Sequence, residues 1–217
     1  MAATARRVDK LEEVAKEIQA RGGECVPIAL DVTDAESIAQ CVAHANEALG
    51  LVDILVNNAG IPDAQRAHKM SLELIDAVLD TNVRAVFVLS CEVARRLIAA
   101  EKPGRIVNIS STGSFSYGGN GAALYSVSKA AVNRITEVLS VEWSRNRINV
   151  NAIAPGAFRS EMMDGMIERI GDFTQMSPRK RLGEPAQLDS TLLFLCAPAS
   201  ECVTGTIVRV DDGQGGK

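Results

Sequence analysis

The stretch Asp53-Ile54-Leu55-Val56-Asn57-Asn58-Ala59-Gly60 decides the fold class of this chain. Its first half is a short apolar run without polar alternation, and its second half is polar and ends at a glycine. A strand of that kind is typical of a parallel sheet that helices cover on both sides. Ligands of such sheets bind beyond the carboxyl ends of the strands. The stretch therefore predicts an α/β protein whose functional edge includes the turn 57–60.

The segments around this stretch repeat the pattern of strand, turn and helix. Apolar strands are predicted at 25–30, 105–109, 148–154 and 206–210, and the first three run into the turns Asp31-Val32, Ser110-Ser111-Thr112-Gly113 and Pro155-Gly156. Helices are predicted before Gly22-Gly23, from a capping box at 33–36 to Gly50, and over 71–100, 125–145 and 185–195. The alternation indicates a Rossmann-like, doubly wound parallel sheet in a single domain, residues 1–217.

Charge and composition exclude several classes of function. The net charge of the 217 residues is 23 − 27 = −4, which gives no electrostatic reason to expect a nucleic acid or an anionic membrane as partner. No apolar run approaches the roughly 20 residues of a membrane span, and the N-terminus has no secretory signal. Five cysteines without a C-x-x-C pair indicate free thiols, so the cytoplasm is the expected compartment. The two histidines, His44 and His68, lack ligand-spaced partners, and no metal is expected.

The segment Tyr125-Ser126-Val127-Ser128-Lys129 carries the clearest chemical signal. Residues four apart lie on one face of a helix, so the phenol and the ammonium are expected to be neighbours. Base chemistry near neutrality needs the tyrosine pKa lowered by about three, which is roughly 4 kcal/mol. One positive charge at about 4 Å in an effective dielectric near 20 supplies about that much. The pair therefore predicts a tyrosine tuned for proton transfer, with Ser111 at the same strand edge.

This ordered set of motifs resembles the short-chain dehydrogenase/reductase family in its non-extended form. The resemblance rests on Asp31-Val32, the turn 57–60, Asn82, Ser111, Tyr125 with Lys129, and Pro155-Gly156, and it covers essentially the whole chain. It implies a carbonyl–alcohol oxidoreductase that transfers a hydride to or from NAD(P). Tyr125 would be the general acid/base and Lys129 would lower its pKa and bind the nicotinamide ribose. Ser111 would hold the substrate oxygen, with Thr112 a weaker candidate, and Asn82 would kink its helix and position a water near Lys129.

The resemblance also implies a set of cofactor contacts. Two arginines follow what resembles the end of the family's second strand, where an acid would favour NAD(H) and an arginine favours the 2′-phosphate of NADP(H). Ala5 stands in the acid position, so NADP(H) is expected rather than NAD(H). The expected cofactor-binding residues are Arg6, Arg7, Asp31, Val32, Asn58, Ala59, Gly60, Tyr125, Lys129, Pro155, Gly156, Phe158 and Ser160.

One departure from the family pattern concerns the pyrophosphate. Family members begin with a strand, a glycine-rich turn and a helix, a unit of roughly 30 residues. No such unit precedes residue 5, so we expect an N-terminally truncated chain that lacks the first strand, the glycine-rich turn and the first helix. The unit would sit between the strands 25–30 and 53–57. Two unpaired strand edges are therefore expected there.

Substrate and partner expectations are broader. Residues 157–182 are rich in methionine (Met162, Met163, Met166, Met176), which predicts a flexible flap over an apolar, adaptable substrate pocket. The resemblance implies a homodimer or homotetramer through the helices 71–100 and 125–145. It leaves two alternatives open: a catalytically silent relative that acts through oligomerisation, and an epimerase or dehydratase of the extended type. The short C-terminal region counts against the second.

Overall fold

A computed structural model describes residues 1–119, 121–172, 174 and 177–214 of the chain. Its strands are β1 (Ala2–Ala5), β2 (Val26–Ala29), β3 (Ile54–Asn57), β4 (Gly104–Ile109), β5 (Ile148–Pro155) and β6 (Ile207–Val210). Its α-helices are α1 (Val8–Ala20), α2 (Ala35–Leu49), α3 (Leu72–Leu79), α4 (Ala85–Ala99), α5 (Ala123–Glu142), α6 (Glu161–Ile170) and α7 (Asp189–Cys196). The strand–helix alternation confirms the predicted α/β class.

All strand pairs in the described residues are parallel, and they form two sheets. β1 pairs only with β2, whereas β3, β4, β5 and β6 form a four-stranded sheet in that order. The register sets Asn57 beside Asn108 and Pro155 beside Val210, so the strand ends that carry polar turns meet at one edge. The break in the sheet falls between β1 and β3, whereas the sequence predicts it between the strands 25–30 and 53–57, because β1 pairs with β2 and lies on the side of that pair that faces β3.

A cleft of about 1410 Å³ separates the two sheets. β1 and β3 face each other across it, and apolar side chains of two helices form its floor: Cys41, Val42 and Ala45 from α2, and Val86, Leu89 and Val93 from α4. At the carboxyl edge the lining becomes polar. The cleft therefore runs from an apolar base to the edge where ligands of α/β sheets bind.

The hydrophobic core lies between the four-stranded sheet and its helices. Ile106, Val150 and Ile148 are buried on β4 and β5, against Leu97 of α4 and Leu139 of α5. The same cluster includes Ile28 of β2 and Ile38 of α2. The two-stranded sheet is therefore attached to the rest of the molecule through α2 and α4 and not through strand pairing.

Two details of the helices differ from the sequence prediction. The N-cap of α2 is Asp34, whose carboxylate accepts the Glu36 amide at 2.9 Å, and not Thr33 of the predicted capping box. The reason is that Thr33 instead donates its hydroxyl to Asp31 at 2.7 Å. The predicted helix 71–100 is continuous, but the five residues Asp80–Arg84 between α3 and α4 form a π-helical turn.

The methionine-rich segment contains a regular helix, whereas its sequence predicts no clear periodicity. Ser160 caps α6 by accepting the Met163 amide at 3.2 Å. Met176 lies outside the described residues. In the described part of the chain, no helix is long and apolar enough to cross a membrane.

Candidate active site

The loop after β4 is fixed to α5 by a chain of hydroxyl and amide groups. Ser110 donates its hydroxyl to Asn133 Oδ1 at 2.6 Å, and the Asn133 amide donates to Ser114 Oγ at 2.8 Å. Ser126 Oγ, one residue beyond Tyr125, donates to the Gly113 carbonyl. These contacts hold the Ser111 loop against the first turns of the helix. Ser111 and Tyr125 therefore belong to one rigid unit.

Ser111 faces Tyr125 from this loop. Its hydroxyl oxygen accepts the Gly113 amide at 3.1 Å and opens a 3₁₀ turn, Thr112–Ser114. A hydrogen bond from Ser111 lowers the pKa of Tyr125. The Ser111 hydroxyl therefore lies close enough to the phenol to influence its ionisation, as joint contact with one substrate oxygen requires.

Lys129 lies one turn after Tyr125 on the same face of α5. Its ammonium is 5.7 Å from the centre of the Tyr125 ring and donates to the Ile109 carbonyl at 2.7 Å. The side chain is buried, and this burial lowers the pKa of Lys129 to about 8. The ammonium is therefore placed between the end of β4 and the phenol.

The pKa of Tyr125 is raised, whereas the sequence argument expects it to be lowered. Burial of the phenol is the largest cause, the Ser111 hydrogen bond opposes it, and the negative charge of Asp63 adds to it. The expected direction is wrong for this structure because the ammonium binds a carbonyl and lies over the ring, while burial disfavours the phenolate.

Asn82 occupies the π-helical turn between α3 and α4. It is fully buried and uses both ends of its amide: Oδ1 accepts the Ile61 amide at 2.9 Å, and Nδ2 donates to the Ile61 carbonyl at 2.9 Å and to Ser128 Oγ at 3.1 Å. A methyl group at Gly60 would lie 3.4 Å from both Asn82 Oδ1 and Lys129 Nζ. Asn82 therefore ties the loop after β3 to the helix that carries Tyr125.

Asp63 belongs to the same site and no sequence motif points to it. Its side chain is 1% exposed, and Oδ2 accepts the amides of Leu124 at 2.8 Å and Tyr125 at 3.1 Å. Sequence reasoning also missed Ser110 and Asn133. Asp63 and Ser110 follow strand ends, which was their only signal in the sequence, and Asn133 lies inside α5 without one, because each contact joins segments about 20 or 60 residues apart.

Seven of the expected cofactor residues line the cleft between the sheets: Arg6, Arg7, Asp31, Val32, Asn58, Ala59 and Gly60. The Asp31 carboxylate accepts the amide and the hydroxyl of Thr33, and these bonds lower the pKa of Asp31. Arg7 forms two 3.3 Å contacts with Glu161 at the start of α6. The cleft thus brings a carboxylate, two guanidiniums and the turn after β3 to one opening.

Four further expected contacts lie at and just after the end of β5, and Tyr125 and Lys129 are on α5. The Gly156 amide donates to the Val210 carbonyl at 3.0 Å, and a methyl group there would lie 2.5 Å from Gln214 Oε1. Phe158 forms an isolated bridge with Gly183. Pro155, Gly156, Phe158 and Ser160 do not line the cleft itself, and from this segment only Glu161 does. Among the described residues, no cluster of His, Cys, Asp and Glu is arranged to hold a metal ion.

Comparisons with known proteins agree with this architecture. The family model described as Enoyl-(Acyl carrier protein) reductase matches residues 1–214. The chain is 36% identical over 205 residues to the 2-dehydro-3-deoxy-D-gluconate 5-dehydrogenase of Dickeya dadantii, covering 93% of this chain and 81% of that protein. Its structure is similar to a short-chain type dehydrogenase/reductase from Mycobacterium marinum, with a TM-score of 0.94, 32% identity and coverage of 98% and 84% of the two chains.

A second structural neighbour is a ketoreductase. A variant of the actinorhodin polyketide ketoreductase with NADPH has a TM-score of 0.94 and 31% identity, over 100% of this chain and 87% of that one. Fold, site and relatives define an oxidoreductase that acts on CH–OH and C=O groups. Within that class, the chain belongs to the short-chain dehydrogenase/reductase family, and the Rossmann-like fold expected from its sequence is confirmed.

Proposed function

We propose that this protein interconverts a ketone and a secondary alcohol with NADP(H), and that Tyr125 is the general acid/base. The observation that carries the proposal is the convergence of three groups at one strand edge: the Ser111 hydroxyl, the Tyr125 phenol and the Lys129 ammonium. A bound nicotinamide supplies or accepts the hydride. The chain's own residues then have to hold the substrate oxygen and move one proton.

The proton chemistry follows from the two pKa directions. Because burial raises the pKa of Tyr125, the phenol holds its proton at neutral pH and can donate it to a carbonyl oxygen. Because the pKa of Lys129 is about 8, its ammonium remains charged there and stabilises the phenolate that donation leaves. The Ser111 hydroxyl donates to the same oxygen as negative charge develops on it. The resting state therefore favours reduction of the carbonyl.

NADP(H) is proposed over NAD(H) because of the arginine pair. Arg6 and Arg7 line the cleft beside Asp31, and a guanidinium pairs well with a phosphate dianion. Asp31, Val32 and the turn Asn58–Gly60 would hold the adenosine, whereas the residues from Pro155 to Ser160 would hold the nicotinamide. The NADPH found with the actinorhodin ketoreductase supports the same choice.

The described residues offer the fewest binding contacts to the pyrophosphate of the cofactor. Of the residues that line the cleft, none belongs to a glycine-rich turn that leads from a strand into a helix, the arrangement that cradles phosphates. We propose that the 217 residues bind NADPH weakly. Isothermal calorimetry with NADPH tests this, and submicromolar affinity would contradict it.

The substrate proposed is a small ketone or its alcohol, bound under the flap of residues 157–182. Relatives point in two directions, since one is named for a sugar acid and the matching family for an acyl carrier protein thioester. Turnover is measured as NADPH oxidation with a panel of simple ketones and 3-oxoacyl thioesters. NADP⁺ reduction with 2-dehydro-3-deoxy-D-gluconate covers the reverse direction.

Tyr125→Phe tests the mechanism. It removes only the hydroxyl, and loss of a general acid/base lowers kcat by roughly 100-fold to 10,000-fold. The matched control is Tyr117→Phe, because Tyr117 is the only other tyrosine and its hydroxyl accepts the Gly121 amide outside the proposed machinery. The mechanism fails if Tyr125→Phe turns over at the wild-type rate.

A catalytically silent protein that acts by self-association is the second candidate. It is favoured by apolar side chains on the outer faces of two helices: Val127, Val138 and Val141 on α5, and Phe87 and Ile98 on α4, all exposed. Homodimers or homotetramers through these helices are proposed in either case. Sedimentation velocity with Val141→Glu, expected to weaken association, separates a role in assembly from turnover.

Five free thiols support the cytoplasm as the proposed compartment.

A further inference from the structure

Asp63 reaches the first turn of α5 from the loop after β3. Its Oδ2 atom accepts two consecutive amides, those of Leu124 and Tyr125, at 2.8 and 3.1 Å. The first amides of a helix have no partner within it and need a cap. Ala122, the residue before the helix, has no side chain that can cap it. A residue 61 positions earlier in the chain therefore does what a local N-cap usually does.

The position of Asp63 is itself fixed. Asn82 holds Ile61, two residues before it, through both backbone groups. Ala64, the next residue, has a φ of 50°, a left-handed conformation that residues with a side chain rarely adopt. The chain thus bends sharply just after Asp63 while the carboxylate lies under the helix. The loop is anchored on both sides of the contact.

The carboxylate is buried and only half satisfied. Asp63 is 1% exposed, and its Oδ1 atom is buried without a hydrogen-bond partner among the described residues. Buried polar atoms in folded proteins nearly always have a partner, so this one calls for a functional reason. A neutral cap such as asparagine or serine would make the same two bonds. What Asp63 adds is a negative charge at the backbone of Tyr125.

We propose that Asp63 is a positioning residue for the reaction proposed above: it fixes the Tyr125 backbone, and its charge adds to the burial that keeps the phenol protonated between turnovers. The inference rests on the proposed function for its kinetic consequence but not for its effect on the tyrosine. Two opposing charges then act on one phenol. An ammonium 5.7 Å from the ring centre, as that of Lys129 is, favours loss of the proton, whereas burial and the Asp63 carboxylate both raise the pKa of Tyr125.

The two arginines nearby donate to other partners. From the same loop, Arg66 donates to the Gly119 carbonyl at 2.8 Å. From the π-helical turn packed against α5, Arg84 donates to the Thr33 carbonyl at 3.1 Å, and Asp80 begins that turn. Asp63 is therefore the charged group whose effect on Tyr125 a single substitution can isolate.

The test compares Asp63→Asn with Asp63→Ala. Asparagine keeps an oxygen that accepts both amides but removes the charge, whereas alanine removes both. In a Tyr117→Phe background, Tyr125 is the only tyrosine, and its ionisation is followed by ultraviolet absorbance as the pH rises. We expect a lower midpoint in Asp63→Asn than in the parent. An unchanged or higher midpoint would overturn the inference.

Kinetics provide the second readout. We expect Asp63→Asn to keep most of kcat, with the pH profile of alcohol oxidation moved to lower pH because Tyr125 loses its proton more easily. Asp63→Ala is expected to lose about 100-fold in kcat, the cost of a displacement of about 1 Å at a reacting group. Wild-type kcat in Asp63→Ala would sink the positioning role; if that variant does not fold, Asp63→Asn decides.

Asp34→Asn is the matched control. Asp34 caps α2 with one carboxylate bond to the Glu36 amide, away from Tyr125, and the variant is expected to leave both readouts unchanged. The proposed function and the role assigned to Asp63 can fail independently of each other. If no ketone supports NADPH oxidation while Asp63→Asn still lowers the midpoint, the proposed function fails and the assignment of Asp63 stands. If turnover is normal but the midpoint does not move, the assignment of Asp63 fails and the proposed function stands.

Discussion

At the scale of single residues, the site holds a buried lysine at a cost in stability. The pKa of Lys129 falls from its ordinary value of 10.5 to about 8 because burial disfavours the charge. That difference corresponds to roughly 3 kcal/mol. Between these pH values the unfolded chain binds more protons at this lysine than the folded chain does. Stability therefore rises with pH across that window and the penalty is fully present below it.

Lys129→Met tests this balance. The variant loses the pH-dependent penalty and also the bond to the Ile109 carbonyl, a loss of about 1–3 kcal/mol at any pH. We therefore expect the free energy of unfolding of the wild type to rise relative to that of the variant by up to roughly 3 kcal/mol between about pH 8 and about pH 10.5. Urea unfolding at several pH values measures it. For Lys102→Met, at an exposed position, the difference in the free energy of unfolding from the wild type should not vary with pH. The same result for Lys129→Met would refute the cost assigned to burial.

Which site residues the sequence could predict depends on how far apart their partners are. Tyr125 and Lys129 are four apart on one helix, so helical geometry alone brings them together. Ser111 follows from its place at a strand end. Asp63 could not be predicted, because its partners lie 61 and 62 positions away and its role is to accept backbone amides, which leaves no residue pattern. The raised pKa of Tyr125 escaped for a related reason, since burial is a property of the folded molecule.

At the scale of elements, the π-helical turn is the feature on which the site depends. A π turn is rare and usually marks a functional position. Here its five residues, Asp80–Arg84, place the Asn82 side chain inside the molecule, where it binds Ile61 and Ser128. Helix periodicity predicted one continuous helix over 71–100, because one extra residue in a turn hardly alters the apolar pattern.

Asn82→Ala should release the loop after β3 from α5. The substitution removes three hydrogen bonds and leaves both backbone groups of Ile61 without that partner. We expect a loss of about 2–4 kcal/mol in the free energy of unfolding, by the usual cost of unsatisfied buried groups. Asn46→Ala, which removes a single bond to the Val52 amide, should cost about 1 kcal/mol. Equal costs in urea unfolding would mean that the turn is not held by Asn82.

At the scale of the whole molecule, the parallel sheet was predictable and the way its two parts are attached was not. Apolar strands and alternating helices predicted a parallel sheet and its functional edge, and the resemblance to the family predicted a break between the strands 25–30 and 53–57. They did not predict that β1 and β2 would join the rest of the described structure mainly through the packing of α2 and α4, with the Arg7–Glu161 ion pair as a further contact. That attachment depends on particular contacts, such as Ile28 in the core that α4 shares.

Hydrogen exchange tests the consequence for stability. Local opening energies range from near zero up to the global value, and small units with few anchors open first. We expect the amides of β1 and β2 to exchange faster, by orders of magnitude, than those of β4 and β5, whose residues are mostly buried. The four-stranded sheet is the control within the same sample. Equal protection in both sheets would mean that they unfold as one unit.

The cleft also has a consequence for how the protein behaves in concentrated solution. The edges of β1 and β3 that face the cleft have backbone donors and acceptors without strand partners in the described residues. Free edges of this kind are templates for chains that approach in extended form, and they favour aggregation. Ile54 and Val56 on β3 are both about two-fifths exposed, so this edge also offers apolar surface to other chains. A ligand or chain segment that fills the cleft between the sheets would therefore also protect the protein against aggregation.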